Sequence, residues 1–310
     1  MSNVSYPSPT RFVVDVDGVP MSGLLSAVER PRAIVVAVHG GATTPEYFDA
    51  PGFPHQSLLR IGASLGFTVV APDRPGYGAS REVLGERVTP SRQLDLTFGV
   101  LDQALAGHDR GAGVFVLGHS QGSVLTARIA AHPGASDLLG RDVPGAGLLG
   151  IEMSGTGVHH SEEARRRIAS FAAGGSAGSD LRNLFWQPAY LYRDRERVLS
   201  PAPKFDGVDA ASWPQDLTEL APRVTVPVRI SLGDHEHWWS AGTAGLNSMA
   251  ELFVSSPRVV VDEQFESGHS TSLGVSALAY HLKVLSFVEE CVLMREHAEL
   301  NSNVKEREHV

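Results

Sequence analysis

Residues Val114 to Ser123 read VFVLGHSQGS. Four apolar, strand-favouring residues, Val114, Phe115, Val116 and Leu117, run into Gly118-His119-Ser120-Gln121-Gly122, and a helix-compatible stretch reaches Ala130. The succession is strand, tight turn, helix. A G-x-S-x-G pattern in that setting is a nucleophile elbow. The serine sits on a strained turn with Oγ above the sheet, and the glycines keep neighbouring Cβ atoms from colliding. The bare pattern is weak evidence in a chain with 32 glycines. Gly174-Gly175-Ser176-Ala177-Gly178 fits it too, but lies in an Ala/Gly/Ser-rich stretch with no apolar strand before it. Context selects Ser120 over Ser176.

Around the elbow, short apolar runs alternate with helical spacing. Phe12 to Gly18 and Met21 to Val28 read as a hairpin about an Asp-Gly turn. Ala33 to Val38 and Phe67 to Ala71 are continuous apolar runs, as in strands buried on both faces. Leu58 to Leu65 and Gln93 to Ala106 have helical character, and Ala146 to Ile151 reads as a further strand. The alternation lapses from Gly155 to Pro222. Short helices are expected there over Ser161 to Ala173, Asp180 to Trp186, and Ser212 to Leu220, where Ser212 and Gln215 fit a capping box. Strands at Val226 to Leu232 and Arg258 to Asp262, with helices at Ala244 to Phe253 and Val275 to Glu296, complete the pattern. Strands alternating with helices imply a doubly wound, mostly parallel sheet. Residues 12–154 and 223–296 would form the α/β core, 155–222 a helical cap, and 297–310 a mobile tail.

The bulk properties narrow the partners. A formal charge of −9 with dispersed acids and bases offers no basic groove for nucleic acid. One cysteine, Cys291, excludes an intramolecular disulfide and a cysteine-based metal site. No apolar run approaches a membrane span, and the polar start lacks a signal core, so a soluble, cytoplasmic protein is expected. No phosphate-binding glycine loop or dinucleotide fingerprint is present, so no cofactor is expected. The expected partner is a small-molecule substrate, and a homo-oligomer stays open.

A serine hydroxyl needs a general base, itself oriented by a carboxylate. Of 13 histidines, His269 alone follows the last predicted strand and precedes the last helix, at the sheet edge that carries the elbow. For the acid, Gly233-Asp234-His235-Glu236-His237 follows the preceding strand and offers Asp234 and Glu236, and Glu152 follows the strand ending at Ile151. His235 and His237, with His159-His160, suggest a metal, but without clear third and fourth ligands that reading is set aside. Backbone donors for a developing oxyanion are expected at Gln121, after the nucleophile, and at Gly41, after the strand ending at Val38.

The elbow, the His39-Gly40-Gly41 loop, the acid loop and His269 together resemble the α/β-hydrolase fold superfamily, over roughly Phe12 to Glu296. The resemblance implies a Ser-acid-His triad in that chain order. It also places the acid at the end of a G-x-x-D stretch, which here is Glu236, a glutamate where aspartate is commoner. Asp234 and then Glu152 remain the alternatives. Serine at the elbow argues against relatives that open epoxides or remove halides. Trp186, Tyr190, Trp213 and Trp238 are expected to line an apolar substrate pocket, while Arg193, Arg195 and Arg197 read as a solvated face. The expected activity is serine hydrolysis of an ester, thioester or lactone of a mostly apolar acyl group. The alternatives are acyl transfer or cyclisation by the same triad, a cofactor-free lyase or oxygenase, and a ligand-binding role.

Overall fold

The computed structural model describes residues 8–85, 88–140, 147–172, 183–192 and 198–308. Ser176 and the three arginines at 193, 195 and 197 lie outside the described residues.

The hairpin forms as β1 (Thr10–Val16) and β2 (Val19–Ser26), paired antiparallel with Val16 opposite Val19. Asp17 and Gly18 take the positive φ values, 52° and 79°, that so tight a turn requires. The strands that follow are β3 (Ile34–Val38), β4 (Thr68–Pro72), β5 (Val114–His119), β6 (Leu148–Ser154), β7 (Val228–Gly233) and β8 (Val259–Gln264). Among the described residues they make one eight-stranded sheet in the order β1-β2-β4-β3-β5-β6-β7-β8. Every pairing from β4 to β8 is parallel.

Parallel strands need crossovers, and these are α1 (Leu58–Ser64), α2 (Pro90–Ala104), α3 (Gln121–Ala130) with the short α4 (Ala135–Leu139), and α7 (Gly242–Ala250). Two of them start on side-chain caps. Ser57 accepts from Arg60 N–H, and Thr89 accepts from Arg92 N–H with Pro90 at the first helical position. Both faces of the sheet are covered. Ile34, Val36, Val38, Val114 and Val116 face the core under α2 and α3, while Val35, Ala37, Phe115 and Leu117 face the core under α1 and α8 (Ala277–Glu308). That is why these strands read as unbroken apolar runs.

The structure departs from the sequence pattern at four points. β6 runs to Ser154, so Glu152 is inside a strand rather than after it. α4 lies in a stretch to which the sequence pattern assigns no element. α8 continues to Glu308, through the segment read as a tail. Between β6 and β7 lie α5 (Glu162–Ala172), short 3-10 turns at Leu184–Trp186 and Ala189–Tyr192, and α6 (Lys204–Leu220). α6 starts well before Ser212, so Ser212 is an interior residue whose Oγ donates to Asp216 Oδ2 at 2.9 Å, and the capping box does not form.

The early start of α6 has a physical cause. Pro214 inside a helix costs about 3 kcal/mol. Against that, Phe205, Trp213 and Leu217 are buried along the helix, and two of its carboxylates enter buried ion pairs. Asp206 meets Arg74, and Asp209 takes both Arg128 guanidinium nitrogens at 3.1 Å. The helix is thereby fastened to the loop after β4 and to α3.

Candidate active site

Because β3, β5, β7 and β8 run parallel, the loops after them open at one edge of the sheet. Those loops carry His39-Gly40-Gly41, Ser120, Asp234 to Glu236, and His269 respectively.

Ser120 has φ 50° and ψ −116°, a conformation that costs a non-glycine residue about 1–3 kcal/mol. Its neighbours make that possible. A Cβ at Gly122 would run into the Val38 carbonyl, and one at Gly118 into Thr126 Oγ1. Hydrogen bonds to β6 hold the turn: Ser120 N–H donates to Ser154 O at 2.8 Å, and Ser123 Oγ donates to the same carbonyl at 3.2 Å.

The position of His269 is equally constrained. His269 is 2% exposed, and its Nδ1 lies 3.0 Å from Glu236 Oε2 and 3.2 Å from Oε1. Glu236 Oε1 also accepts from Trp238 N–H at 2.7 Å, which fixes the carboxylate. With Nδ1–H donated to Glu236, the lone pair of His269 is at Nε2. Phe185 stacks on the imidazole at 4.6 Å between centroids, and His119 meets its edge at 5.1 Å. Ser120 and His269 then share one narrow cleft with Gly40, Gly41, Phe185 and Trp186.

Neither competing acid reaches His269 in this arrangement. Asp234 accepts from Glu266 N–H and Ser267 N–H, both at 2.9 Å, and so shapes the loop that carries His269. Glu152 is fully buried in β6, bonded to Arg229 Nη1 at 3.0 Å and to Tyr280 Oη at 3.2 Å. The two neighbouring histidines also have their own partners. His235 Nε2 lies 3.3 Å from Tyr190 Oη, and His237 Nδ1 lies 3.2 Å from Glu163 Oε2.

The His39 loop packs onto the elbow so closely that a Cβ at Gly41 would sit 3.2 Å from Gln121 Cγ. His39 holds it there. Its Nδ1–H donates to Gly40 O at 2.8 Å, and its Nε2 accepts from Arg74 N–H at 3.1 Å. Burial, reinforced by the Arg74 charge, pushes His39 down to about 3, so it stays neutral in this role. Burial likewise takes His119 well below the usual histidine range. Ala42 N–H is committed to Tyr77 Oη at 2.9 Å, while Gly41 and Gln121 border the same cavity as Ser120. Tyr77 Oη in turn donates to Asp206 Oδ2 at 2.6 Å, and Asp206 is paired with the buried Arg74. Helix α6 is thus connected to the His39–Ala42 loop through one phenol.

A cavity of about 570 Å³ opens beside Ser120, Gln121 and Gly41, within the usual range for small-molecule sites. Trp213 and Trp238 line it, and Trp186 lines the adjoining cleft, as expected from sequence. Tyr190 is a correction. It is 48% exposed, and its Oη donates to Glu266 Oε2 at 2.9 Å on the outer side of the His269 loop. Phe185 takes the place expected of it. Sequence reading missed the roles of Tyr77, Arg74 and Asp206, since their partners lie far apart in the chain and leave no local pattern.

A model of the alpha/beta hydrolase family matches residues 35–276. No curated protein matches the chain. Among solved structures, the enol-lactonase from Burkholderia xenovorans is 16% identical, with a TM-score of 0.63 over 89% of this chain and 99% of that one. A thermostable carboxyl esterase from Bacillus coagulans is 17% identical, with a TM-score of 0.61 over 92% and 99%. The thioesterase domain from the curacin biosynthetic pathway is 14% identical, with a TM-score of 0.54 over 91% and 99%. At such identities the likeness speaks to the fold. No helix among the described residues is long and apolar enough to cross a membrane.

Proposed function

The chain belongs to the alpha/beta hydrolase family, and from that premise we propose that it is a serine hydrolase cleaving an ester, thioester or lactone of a largely apolar acyl group through an acyl-Ser120 intermediate. The observation that carries this reading is the meeting of Ser120 and a Glu236-bonded His269 in one cleft with Gly40 and Gly41.

Ser120 Oγ attacks the carbonyl carbon while His269 Nε2 takes the hydroxyl proton. Glu236 stabilises the imidazolium and keeps the ring in the tautomer that can accept at Nε2. The N–H groups of Gly41 and Gln121 hold the oxyanion, and each such donor is typically worth about 2.7–4 kcal/mol of barrier. His269 returns the proton to the departing alcohol or thiol. Water, deprotonated by His269, then cleaves the acyl-enzyme to release the acid and regenerate Ser120. The segment between β6 and β7 acts as a cap that shapes the acyl cavity, with α6 as its fixed part.

A second reading rests on the burial of the base: His269 is 2% exposed and roofed by Phe185. Where bound substrate keeps water out, an internal hydroxyl resolves the same acyl-enzyme by cyclisation.

Stopped-flow hydrolysis of p-nitrophenyl esters tests the covalent step. The expected result is a burst of nitrophenol stoichiometric with enzyme, or faster turnover with added acyl acceptor. Turnover at the wild-type rate by Ser120→Ala would sink the acyl-enzyme reading. Product analysis with a hydroxyacyl thioester separates the free acid from the lactone.

A further inference from the structure

His269 stands in the loop between β8 and α8, where no strand or helix fixes its backbone. A base that must accept a proton from Ser120 needs its ring held to within about 0.5 Å, and that placement starts from the backbone on either side of it. Here the backbone on both sides meets one phenol. Tyr192 Oη accepts from Ser270 N–H at 3.0 Å. It also lies so near Gly268 that a Cβ there would come within 2.7 Å of it, while running into the Gln187 carbonyl. Tyr192 is buried, and burial holds its hydroxyl well above the usual tyrosine range, so the oxygen stays neutral.

The phenol is itself anchored. It ends the 3-10 turn Ala189–Tyr192, in which the Leu191 carbonyl accepts from Val275 N–H at 3.0 Å, and its ring meets Trp186 edge-on at 5.4 Å between centroids. Ser270 Oγ donates to Phe185 O at 2.9 Å. The residue after His269 is therefore bonded to the 184–192 segment through both its N–H and its side chain, and Phe185 of that segment is the ring stacked on the imidazole. Tyr192 lines neither the cavity beside Ser120 nor the adjoining cleft, so its hydroxyl acts on the loop and not on a substrate.

We propose that Tyr192 is a positioning residue for the base: its hydroxyl clasps the backbone of Gly268 and Ser270 on either side of His269 and thereby sets Nε2 against Ser120. This rests on the reading of His269 as the general base of an acyl-Ser120 mechanism. Tyr192 then acts on the rate of proton transfer through the loop, while Glu236 acts on the imidazole directly.

Tyr192→Phe removes one oxygen and tests this. With p-nitrophenyl butyrate, kcat should fall by about fivefold to tenfold, the scale of one buried hydrogen bond, while KM stays unchanged. The low-field ¹H resonance of His269 Nδ1–H, assigned by its loss in His269→Ala, should shift or broaden in the same variant. Tyr190→Phe removes a hydrogen bond from the same loop at Glu266, away from the flanks of His269, and should leave both readouts near wild type. A kcat near wild type in Tyr192→Phe, whatever its melting temperature, overturns the proposal, as does an unmoved resonance or an equal loss of kcat in Tyr190→Phe. Should Tyr192→Phe not fold, 3-fluorotyrosine at position 192, a weaker acceptor of nearly the same shape, decides: kcat must fall, and an unchanged kcat overturns the proposal. Failure of the acyl-Ser120 reading looks different. Ser120→Ala then turns the ester over at the wild-type rate, while the Nδ1–H resonance still reports whether Tyr192 places the ring.

Discussion

His269 Nδ1 lies 3.0 Å from Glu236 Oε2, whereas Asp234, two residues earlier in the same loop, turns its carboxylate to the backbone of Glu266 and Ser267. One loop thus supplies two acids with separate tasks. Glu236 meets the histidine, and Asp234 shapes the turn that presents it.

That division predicts three different phenotypes. Glu236→Gln should lower kcat by about 10⁴, the scale seen when a triad carboxylate becomes an amide. Asp234→Asn keeps an acceptor and should cost far less. Glu152→Gln should lower stability by about 3–5 kcal/mol, because it weakens a buried pair with Arg229, while kcat per folded molecule stays near wild type. Steady-state kinetics and denaturant melts on the three variants separate these outcomes. A kcat near wild type in Glu236→Gln would remove that residue from the triad.

Tyr77 makes a second prediction. Its hydroxyl accepts from Ala42 N–H and donates to Asp206, so Tyr77→Phe unfastens the oxyanion loop from α6. The expected loss in kcat is about tenfold, short of the 10²–10³ that follows removal of an oxyanion donor itself. KM should change little, since the phenol borders no described part of the acyl cavity. An unchanged kcat with only a lower melting temperature would reduce Tyr77 to a packing role.

Acid stability follows from buried neutral histidines. Burial takes His281 to about 4 and His39 to about 3, and holds His119 well below the usual range. In the unfolded chain each titrates near the usual value of about 6.5. Between the two values the unfolded state binds more protons, so stability falls as pH drops below about 6.5 and is fully present above it. Each such histidine contributes a slope of about 1.4 kcal/mol per pH unit in that window. Urea titrations from pH 7.5 to 5 should show this, and His281→Asn or His281→Gln should flatten the slope. Constant stability over the range would contradict the account.

Much of the site could be read before the fold was known, because its parts sit at strand ends. Ser120 was marked by an apolar strand before it and a helix after it, and His269 by chain order and sheet edge, whereas those cues left three acids open and only the family resemblance favoured Glu236. What escaped depended on distance or on exact boundaries. Glu152 looked like a loop acid only because β6 extends to Ser154 rather than Ile151. Ser212 and Gln215 suggested a helix start, but buried pairs from Asp206 and Asp209 to residues far earlier in the chain outweigh the cost of Pro214 inside a longer helix. Tyr190 looked like a pocket aromatic, yet pairing with Glu266 and His235 takes it to the surface.

The most direct test of the central claim is intact-mass analysis after fluorophosphonate treatment of the wild type, Ser120→Ala, Ser176→Ala and His269→Ala. The account predicts one adduct on the wild type and on Ser176→Ala, and none on Ser120→Ala or His269→Ala. An adduct that survives Ser120→Ala, or a wild type that stays unlabelled while the probe competes for the cavity, would contradict it.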